Sequence, residues 1–430
     1  MSRSRSLLRS GGAWHGLVLS GSMVLAGGLD YVVNVVAGRW LAPAEFGVFV
    51  SVMAVVQVVT LFTIAIRMVV AYQVSTIGVG AEGAGRVAAF GRAAWDWAWR
   101  WGALATLAMA LVAHPLARTL RLPGALPLLL ASGMAFLLFL REAAFGVLQG
   151  TQRFGALGLV QVIQAALRVA LCALLVGGGL RAPGAILAQP LAALACVALT
   201  LAWLRPALRA PPGPAPAVAP VRLPHAASIV AGLAVFGLLT NADALFVKHY
   251  FDPRSAGDYG PVVTLAKICL FLPWALGLVL FPKVARRRAA GVDPRPLLLL
   301  ALAAALSPGL LLTGVYFLLP GEVVRLVFSG AYRSPGVVLG LAGLAATLQA
   351  GLHIWLNYAL SLDRRAYVWV LGGVLLLQVG AMLAFGRQDL ARMALALVGA
   401  GLVGNVAGAL LTWAPEPAAS RQPAAEAVSP

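Results

Sequence analysis

Seven polar side chains stand inside long apolar runs, where their types restrict what they can do: Arg67, Arg141, Arg168, Lys267, Asp30, Asp243 and Asn34. A charged side chain at the centre of a membrane helix costs about 2.5–3.5 kcal/mol on insertion scales, so each should face a cavity or a partner rather than lipid. The three arginines all belong to the first half of the chain. A guanidinium keeps its charge and offers a planar fork of donors, which suits a phosphate or pyrophosphate group. The structural alternative is a set of buried pairs, such as Arg141 with Glu142 on neighbouring helices. Lys267 joins these candidate substrate-binding cations, about 10 Å below the outer surface by helix rise.

The acids suggest a different chemistry. A desolvated carboxylate in a membrane can take up and release a proton or a small cation. Asp30 precedes Pro43 by 13 residues and Asp243 precedes Pro253 by 10, a difference near one helical turn, so both are expected on similar faces. Asn34 follows Asp30 by four and shares its face, whereas Asn241 is two from Asp243 and does not. Asp30, Asn34 and Asp243 are therefore the candidate ion-coupling residues, with helix packing as the alternative role.

Other chemistries find no residues. Cys172, Cys196 and Cys269 lie in apolar runs with no disulfide framework or metal-ligand spacing. His15, His114, His225, His249 and His353 show no metal spacing either. There is no G-x-x-x-x-G-K-[ST] loop for nucleotide phosphates and no Ser/His/Asp or Cys/His arrangement. The expectation is a non-enzyme without cofactor or metal.

These side chains must be positioned by apolar elements. The chain has 430 residues, 61% hydrophobic and 11% charged, with a mean hydropathy of +0.90. That composition excludes a water-soluble surface and a disordered chain alike. The net charge of +18 is spread between apolar runs, which points to a membrane and not to nucleic acid. With about 20 residues needed per crossing, twelve windows qualify: 16–38, 46–74, 95–117, 125–148, 156–180, 184–204, 226–249, 259–282, 297–319, 336–361, 367–385 and 391–413. With the N-terminus inside, 17 of the 32 Lys and Arg fall on the inner side and 10 on the outer, which predicts cytoplasmic termini. The largest inner cluster is Lys283, Arg286, Arg287, Arg288 and Arg295, and Trp95, Trp97, Trp99 and Trp101 mark an interface.

A repeat organises the windows. Arg39-Trp40-Leu41-Ala42-Pro43-Ala44-Glu45-Phe46-Gly47 has a counterpart in the segment from Lys248 and His249 through Pro253 to Asp258-Tyr259-Gly260. Each runs cation, aromatic, proline, then acid–aromatic–glycine. A weaker pair, Leu148 to Phe154 and Leu360 to Ala366, is offset by 212 residues. The reading is two six-helix halves of one orientation, residues 1–204 and 226–413, joined by a Pro-rich cytoplasmic linker at 205–225 and followed by a disordered cytoplasmic tail at 414–430.

The segment Asn34–Gly47 resembles the first loop of bacterial polysaccharide flippases, and Leu148–Phe154 resembles their fourth-to-fifth helix turn. Asn241–Lys248, Gly257–Tyr259 and Leu280-Phe281-Pro282-Lys283 are similar to their seventh and eighth helices. The resemblance implies an all-α integral membrane protein with the multidrug/oligosaccharidyl-lipid/polysaccharide exporter fold, about twelve helices in two six-helix lobes around a V-shaped cavity. It implies an O-antigen-type flippase of the bacterial inner membrane that moves undecaprenyl-pyrophosphate-linked oligosaccharide, with membrane lipids and H⁺ or Na⁺ as further partners. Lipid II flippases usually have two helices beyond the about twelve expected here. The cation-coupled multidrug antiporters of the same fold often use acids in helices one and seven, which Asp30 and Asp243 would match. The first-half arginines favour an anionic lipid-linked sugar, since they would repel a cationic drug. A membrane glycosyltransferase would need a large outer loop, whereas Pro320–Pro335 carries a single acid, Glu322.

Overall fold

The computed structural model describes residues 11–77, 83–208, 223–271, 292–362, 364 and 366–413, with Leu280, Val284 and Arg287. Side chains of 11–20, 206–208 and 223–226 are outside the description. The described residues form helices and no strand: α1 Gly11–Trp40, α2 Pro43–Ile77, α3 Gly83–Thr119, α4 Leu126–Gly150, α5 Phe154–Leu175, α6 Arg181–Leu208, α7 Leu223–Leu239, α8 Ala242–Tyr250, α9 Pro253–Phe271, α10 Arg295–Leu318, α11 Pro320–Val327, α12 Val337–Ser361, α13 Ala366–Phe385 and α14 Leu390–Trp413. Helix is the required outcome here, because a chain in hydrocarbon must satisfy its own backbone groups.

Eight of these stretches are long and apolar enough to cross a membrane, or nine if the bent pair α7–α8 forms one span. The twelve expected spans exceed nine at three places. Phe154–Arg205 is a continuous 52-residue apolar stretch, roughly 78 Å of helix against a 30 Å core. It turns back at Gly177–Gly179, where Gly179 takes a φ of +91°, and its arms α5 and α6 pack on each other. Helix α3 carries Arg86, Arg92, Asp96 and Arg100 in its first half. Helix α9 runs towards residues 272–279, which lie outside the described residues with Pro273, as do 209–222 of the linker, the tail and most of the inner basic cluster; 205–208 and 223–225 of the linker belong to α6 and α7.

Packing repeats along the chain. In the first set, α2 packs on α4, α1 on α5, α3 on α4, and α6 on both α4 and α5. The same scheme recurs as α9 on α12, α7 on α13, α10 on α12, and α14 on both α12 and α13. Helix α2 bridges the sets by packing on α7, α8 and α9. Glycines set the closest approaches, as in membrane bundles where small residues bring backbones together. A Cβ on Gly146 or Gly150 of α4 would stand 2.6 Å from Val70 or Val74 of α2. Where α2 starts against α9, a Cβ on Gly257 would collide with the Pro43 carbonyl, and one on Gly260 would reach 2.6 Å from Phe46. The two copies of the acid–aromatic–glycine motif thus meet each other at the junction between the sets.

Candidate functional site

The first-half charges form one cluster drawn from four helices. Glu142 is its hub: 1% exposed, it accepts from Arg141 Nε at 3.0 Å and Nη2 at 2.6 Å, and its other oxygen stands 3.3 Å from Arg67 Nε of α2. Arg141 and Glu142 are consecutive on α4, not on neighbouring helices, so the fork bends back along its own helix. Arg141 also lies 5.8 Å from the Phe145 ring centre. Arg168 of α5 donates from Nη1 to Asp30 Oδ1 of α1 at 2.5 Å. Arg141 is within electrostatic range of Asp30, and Cys196 of α6 is in range of Arg141, Glu142 and Arg168, so the two pairs belong to one site. Three guanidiniums against two carboxylates leave it one positive charge.

Access is uneven across this cluster. The Asp30 side chain is 46% exposed, Arg67 20% and Arg168 14%. Arg168 Nε and Gln164 Nε2, one turn apart on α5, are buried and make no hydrogen bond among the described residues. Buried donors of this kind usually have partners. Asn34 does not meet the Asp30 carboxylate; its amide donates 2.9 Å to the Asp30 backbone carbonyl.

The second-half residues form a separate site at a helix break. Helix α7 ends at Leu239, and α8 restarts at Ala242 with a 40° bend. The break frees carbonyls, and side chains take them up. Thr240 Oγ1 donates to Phe236 O at 2.9 Å, and Asn241 Nδ2 to Gly237 O at 2.9 Å. Gln349 of α12 and Gln378 of α13 both donate to Leu239 O, at 3.3 and 2.9 Å. Around this break, Lys267 Nζ of α9 donates to Asn241 Oδ1 at 2.7 Å, and Tyr259 Oη donates to Asp243 Oδ2 at 2.9 Å. Asp243, Lys267, Thr240 and Gln349 line a single small cavity. Lys267 and Asp243 make no direct ion pair.

The structure brings the three arginines together, but Lys267 does not join them; it belongs with Asp243. Asp30 and Asp243 do not share an environment, since one faces Arg168 and the other Tyr259. Composition hid these partnerships because the partners sit on helices distant in sequence. Glu142 and Tyr259 are visible in the sequence, one beside Arg141 and one inside the repeat; Asn241 is visible beside Asp243 but its partner Lys267 is not, and Gln349 and Gln378 carry no signal beyond polarity in an apolar run.

A third cluster ties the repeated motifs together. Arg39 donates from Nε to Val327 O at 2.8 Å and from Nη2 to Leu326 O at 2.6 Å, capping the C-terminal carbonyls of α11. Tyr332 Oη donates to Gly38 O at 2.6 Å, and Phe46, Phe328 and Tyr332 pack as an aromatic triad. Arg254 donates to Ala331 O at 2.6 Å and to Asp258 at 3.2 Å, and His249 Nδ1 contacts the Thr119 carbonyl. At the start of α9, Asp252 accepts from the backbone N–H groups of Arg254 and Ser255 at 2.9 and 3.0 Å, an N-cap ahead of Pro253. The Ser255 side chain, with these backbone donors, holds this carboxyl below its ordinary range.

No family model and no curated protein matches the chain. Solved structures do. A MATE-family multidrug resistance transporter of the MOP superfamily, described in an inward-facing conformation, superposes with a TM-score of 0.72 at 13% identity, covering 89% of this chain and 94% of its own. This chain has the MATE exporter fold. A MOP superfamily transporter from Pyrococcus furiosus, described as having a binding pocket of reversed polarity, matches with a TM-score of 0.64 at 15% identity, over 92% and 95% of the two chains. A MATE structure in complex with MaD3S gives 0.61 at 15% identity over the same shares. On the MATE fold, the repeated packing scheme and the junction between α2 and α9 are parts of one architecture, in which the two charged sites lie on opposite sets of helices.

Proposed function

We propose that this chain is a non-enzymatic transporter of the bacterial cytoplasmic membrane that flips an undecaprenyl-pyrophosphate-linked oligosaccharide between leaflets by alternating access. The observation that carries this reading is the convergence of Arg67, Arg141 and Arg168 from three helices on one partly accessible, net positive site. Arg67 and Arg168 hold the pyrophosphate, with the free donors Arg168 Nε and Gln164 Nε2 adding to its coordination. The lipid tail stays in the bilayer, and the glycan travels between two bodies, residues 1–204 and 226–413, joined by the 205–225 linker. Both termini, with the 414–430 tail, are cytoplasmic. In this orientation the Arg39, Tyr332 and Phe46 contacts join the two bodies at their outer end, which suits an inward-facing state.

In this scheme Glu142 and Asp30 act as resident counter-ions. They keep the guanidiniums aligned in the empty site and yield them to a more highly charged pyrophosphate. The test is Arg67→Gln with Arg168→Gln. Surface polysaccharide should be lost while protein level stays normal, and transfer of a lipid-linked oligosaccharide across vesicles should stop. Normal transfer by the double variant would overturn the assignment.

One observation favours a second reading, a cation-coupled multidrug antiporter: the Asp30 carboxylate is 46% exposed and would face a cationic drug. Uptake of a cationic dye into vesicles, abolished by Asp30→Asn, decides for that reading.

A further inference from the structure

Two polar contacts cross between the halves, and the sequence repeat relates them. With Pro43 laid on Pro253, Arg39 falls on His249 and Trp40 on Tyr250, four and three residues ahead of the proline. Arg39, near the end of α1, donates to the Leu326 and Val327 carbonyls that end α11, the short helix following α10. His249, near the end of α8, meets through Nδ1 the carbonyl of Thr119, the last residue of α3. Helices α3 and α10 are counterparts in the packing scheme. Each half thus extends the same position of its motif to the corresponding helix end of the other. A helix C-terminus carries unsatisfied carbonyls and about half a negative charge, so a cation there is favourable. The two contacts differ in one property: a guanidinium keeps its charge, whereas an imidazole loses its own near neutrality.

We propose that His249 is the titratable member of a pair of latches across the two halves: with its ring protonated the outer end is held shut, and loss of that proton loosens it, while the Arg39 latch ignores pH. The neutral ring keeps its hydrogen bond only in the tautomer with the proton on Nδ1, and it brings no charge to the end of α3. The imidazolium donates from Nδ1 in every case and adds that charge. The Thr119 carbonyl meets the ring only while the halves are closed, so it favours the protonated ring in that state alone. Acid therefore shifts the molecule towards closure and alkali towards opening. One proton enters the ring from the outer solution and returns to it, so this site sets the balance between states and carries nothing across the membrane.

The charged groups around the ring define what the latch must overcome. On its own helix, Tyr250 packs edge-on with ring centres 4.4 Å apart, and the adjacent Lys248 is buried. Helix α3 brings His114 and Arg118, with Arg121 just beyond its end; all three are exposed. Ahead of α14, Arg387 lies over the Tyr250 ring at 5.3 Å, and Asp389 stands 3.8 Å from Arg392. The acids of α2 and α9 nearest this end already have cations: Glu45 has Arg181 at 3.5 Å, and Asp258 has Arg254 at 3.2 Å. Asp243 lies at the opposite end of α8, as does Lys267 on Asn241. The surrounding cations oppose protonation, and the exposed ones are screened by salt. If they outweighed the Thr119 carbonyl, the pH response would have the opposite sign. The proposal rests on the transporter reading and its orientation, not on the identity of the cargo.

The experiment accordingly uses no cargo. Spin labels go on Gly124→Cys in the first half and Gly330→Cys in the second, two loop positions where an added Cβ meets nothing within 4 Å. The native Cys172, Cys196 and Cys269 are buried. Full-length protein in lipid nanodiscs is measured by double electron–electron resonance between about pH 5 and 8, the range in which histidine titrates. The ratio of closed to open populations should fall about three- to tenfold from the acid to the alkaline end. His249→Gln should abolish this response, and His249→Arg, which copies Arg39, should stay closed throughout. Arg39→Gln should weaken closure at every pH and keep the response, and His114→Gln should leave it intact. A native ratio indifferent to pH, opening on acidification, a response that survives His249→Gln, or one lost in His114→Gln would each overturn the proposal. If neither His249 variant runs as monodisperse protein, the native titration and the His114→Gln control decide. Failure of the Arg67/Arg168 test would refute the cargo and leave these distances standing.

Discussion

The two halves of this molecule use one packing scheme to hold opposite kinds of electrostatic site. In the first, five charges from α1, α2, α4 and α5 are in direct contact or in range, and the sum is positive. In the second, one acid and one base share a cavity without touching, and neutral groups (Asn241 and Tyr259) hold each of them in place. A repeated scaffold therefore does not imply a repeated site.

The contrast makes its sharpest prediction for stability. Glu142→Gln removes the counter-ion of two guanidiniums, and breaking a buried pair from one side costs about 3–5 kcal/mol. Thermal unfolding in detergent should show that loss, while Asp243→Asn should cost much less, because the amide oxygen can still accept from Tyr259. Equal losses would erase the distinction between networked and separated charges. Next in size is the junction that joins the halves. Gly257→Ala places a methyl against the Pro43 carbonyl, and overpacking of this kind costs about 1–3 kcal/mol. Gly314→Ala, where nothing lies within 4 Å, should be neutral in the same assay.

Arg39→Ala removes two charge-assisted hydrogen bonds to α11. Such bonds contribute about 1.5–3 kcal/mol each when fully buried and less at an exposed site like this one. The expected outcome is faster labelling of a cysteine introduced at Tyr332, with the first-half site unchanged. The smallest effect belongs to the Asp252 cap, where an N-cap is worth about 0.5–2 kcal/mol. Its carboxyl is held below the ordinary value, so its contribution is fully present above the unfolded value near about 3.9. That contribution is lost as pH falls through the lower folded value. Asp252→Asn should therefore flatten the acid limb of the stability profile while leaving neutral stability nearly unchanged. An acid limb identical in the two proteins would reject the cap's role.

Much of this was legible in the residues themselves. Hydropathy located the helices, since a membrane leaves few alternatives to helix. The acid–aromatic–glycine repeat, Glu45-Phe46-Gly47 and Asp258-Tyr259-Gly260, announced the duplication that the packing then displays. The cost of charge in an apolar run singled out Arg67, Arg141, Arg168, Lys267, Asp30 and Asp243. Asn34, chosen for sharing a face with Asp30, was placed correctly on the helix, but its amide turned to the backbone.

What the linear chain determined by itself was therefore which residues are exceptional and how they are spaced along each helix, because periodicity along a helix is a local property. Only the tertiary structure decided the partners: Glu142 between Arg141 and Arg67, Asp30 with Arg168, Lys267 with Asn241 beside Asp243. Those pairings depend on which helix lies alongside which and at what depth. Glycine contacts and helix breaks scattered over hundreds of residues set that arrangement together, and no single segment contains it.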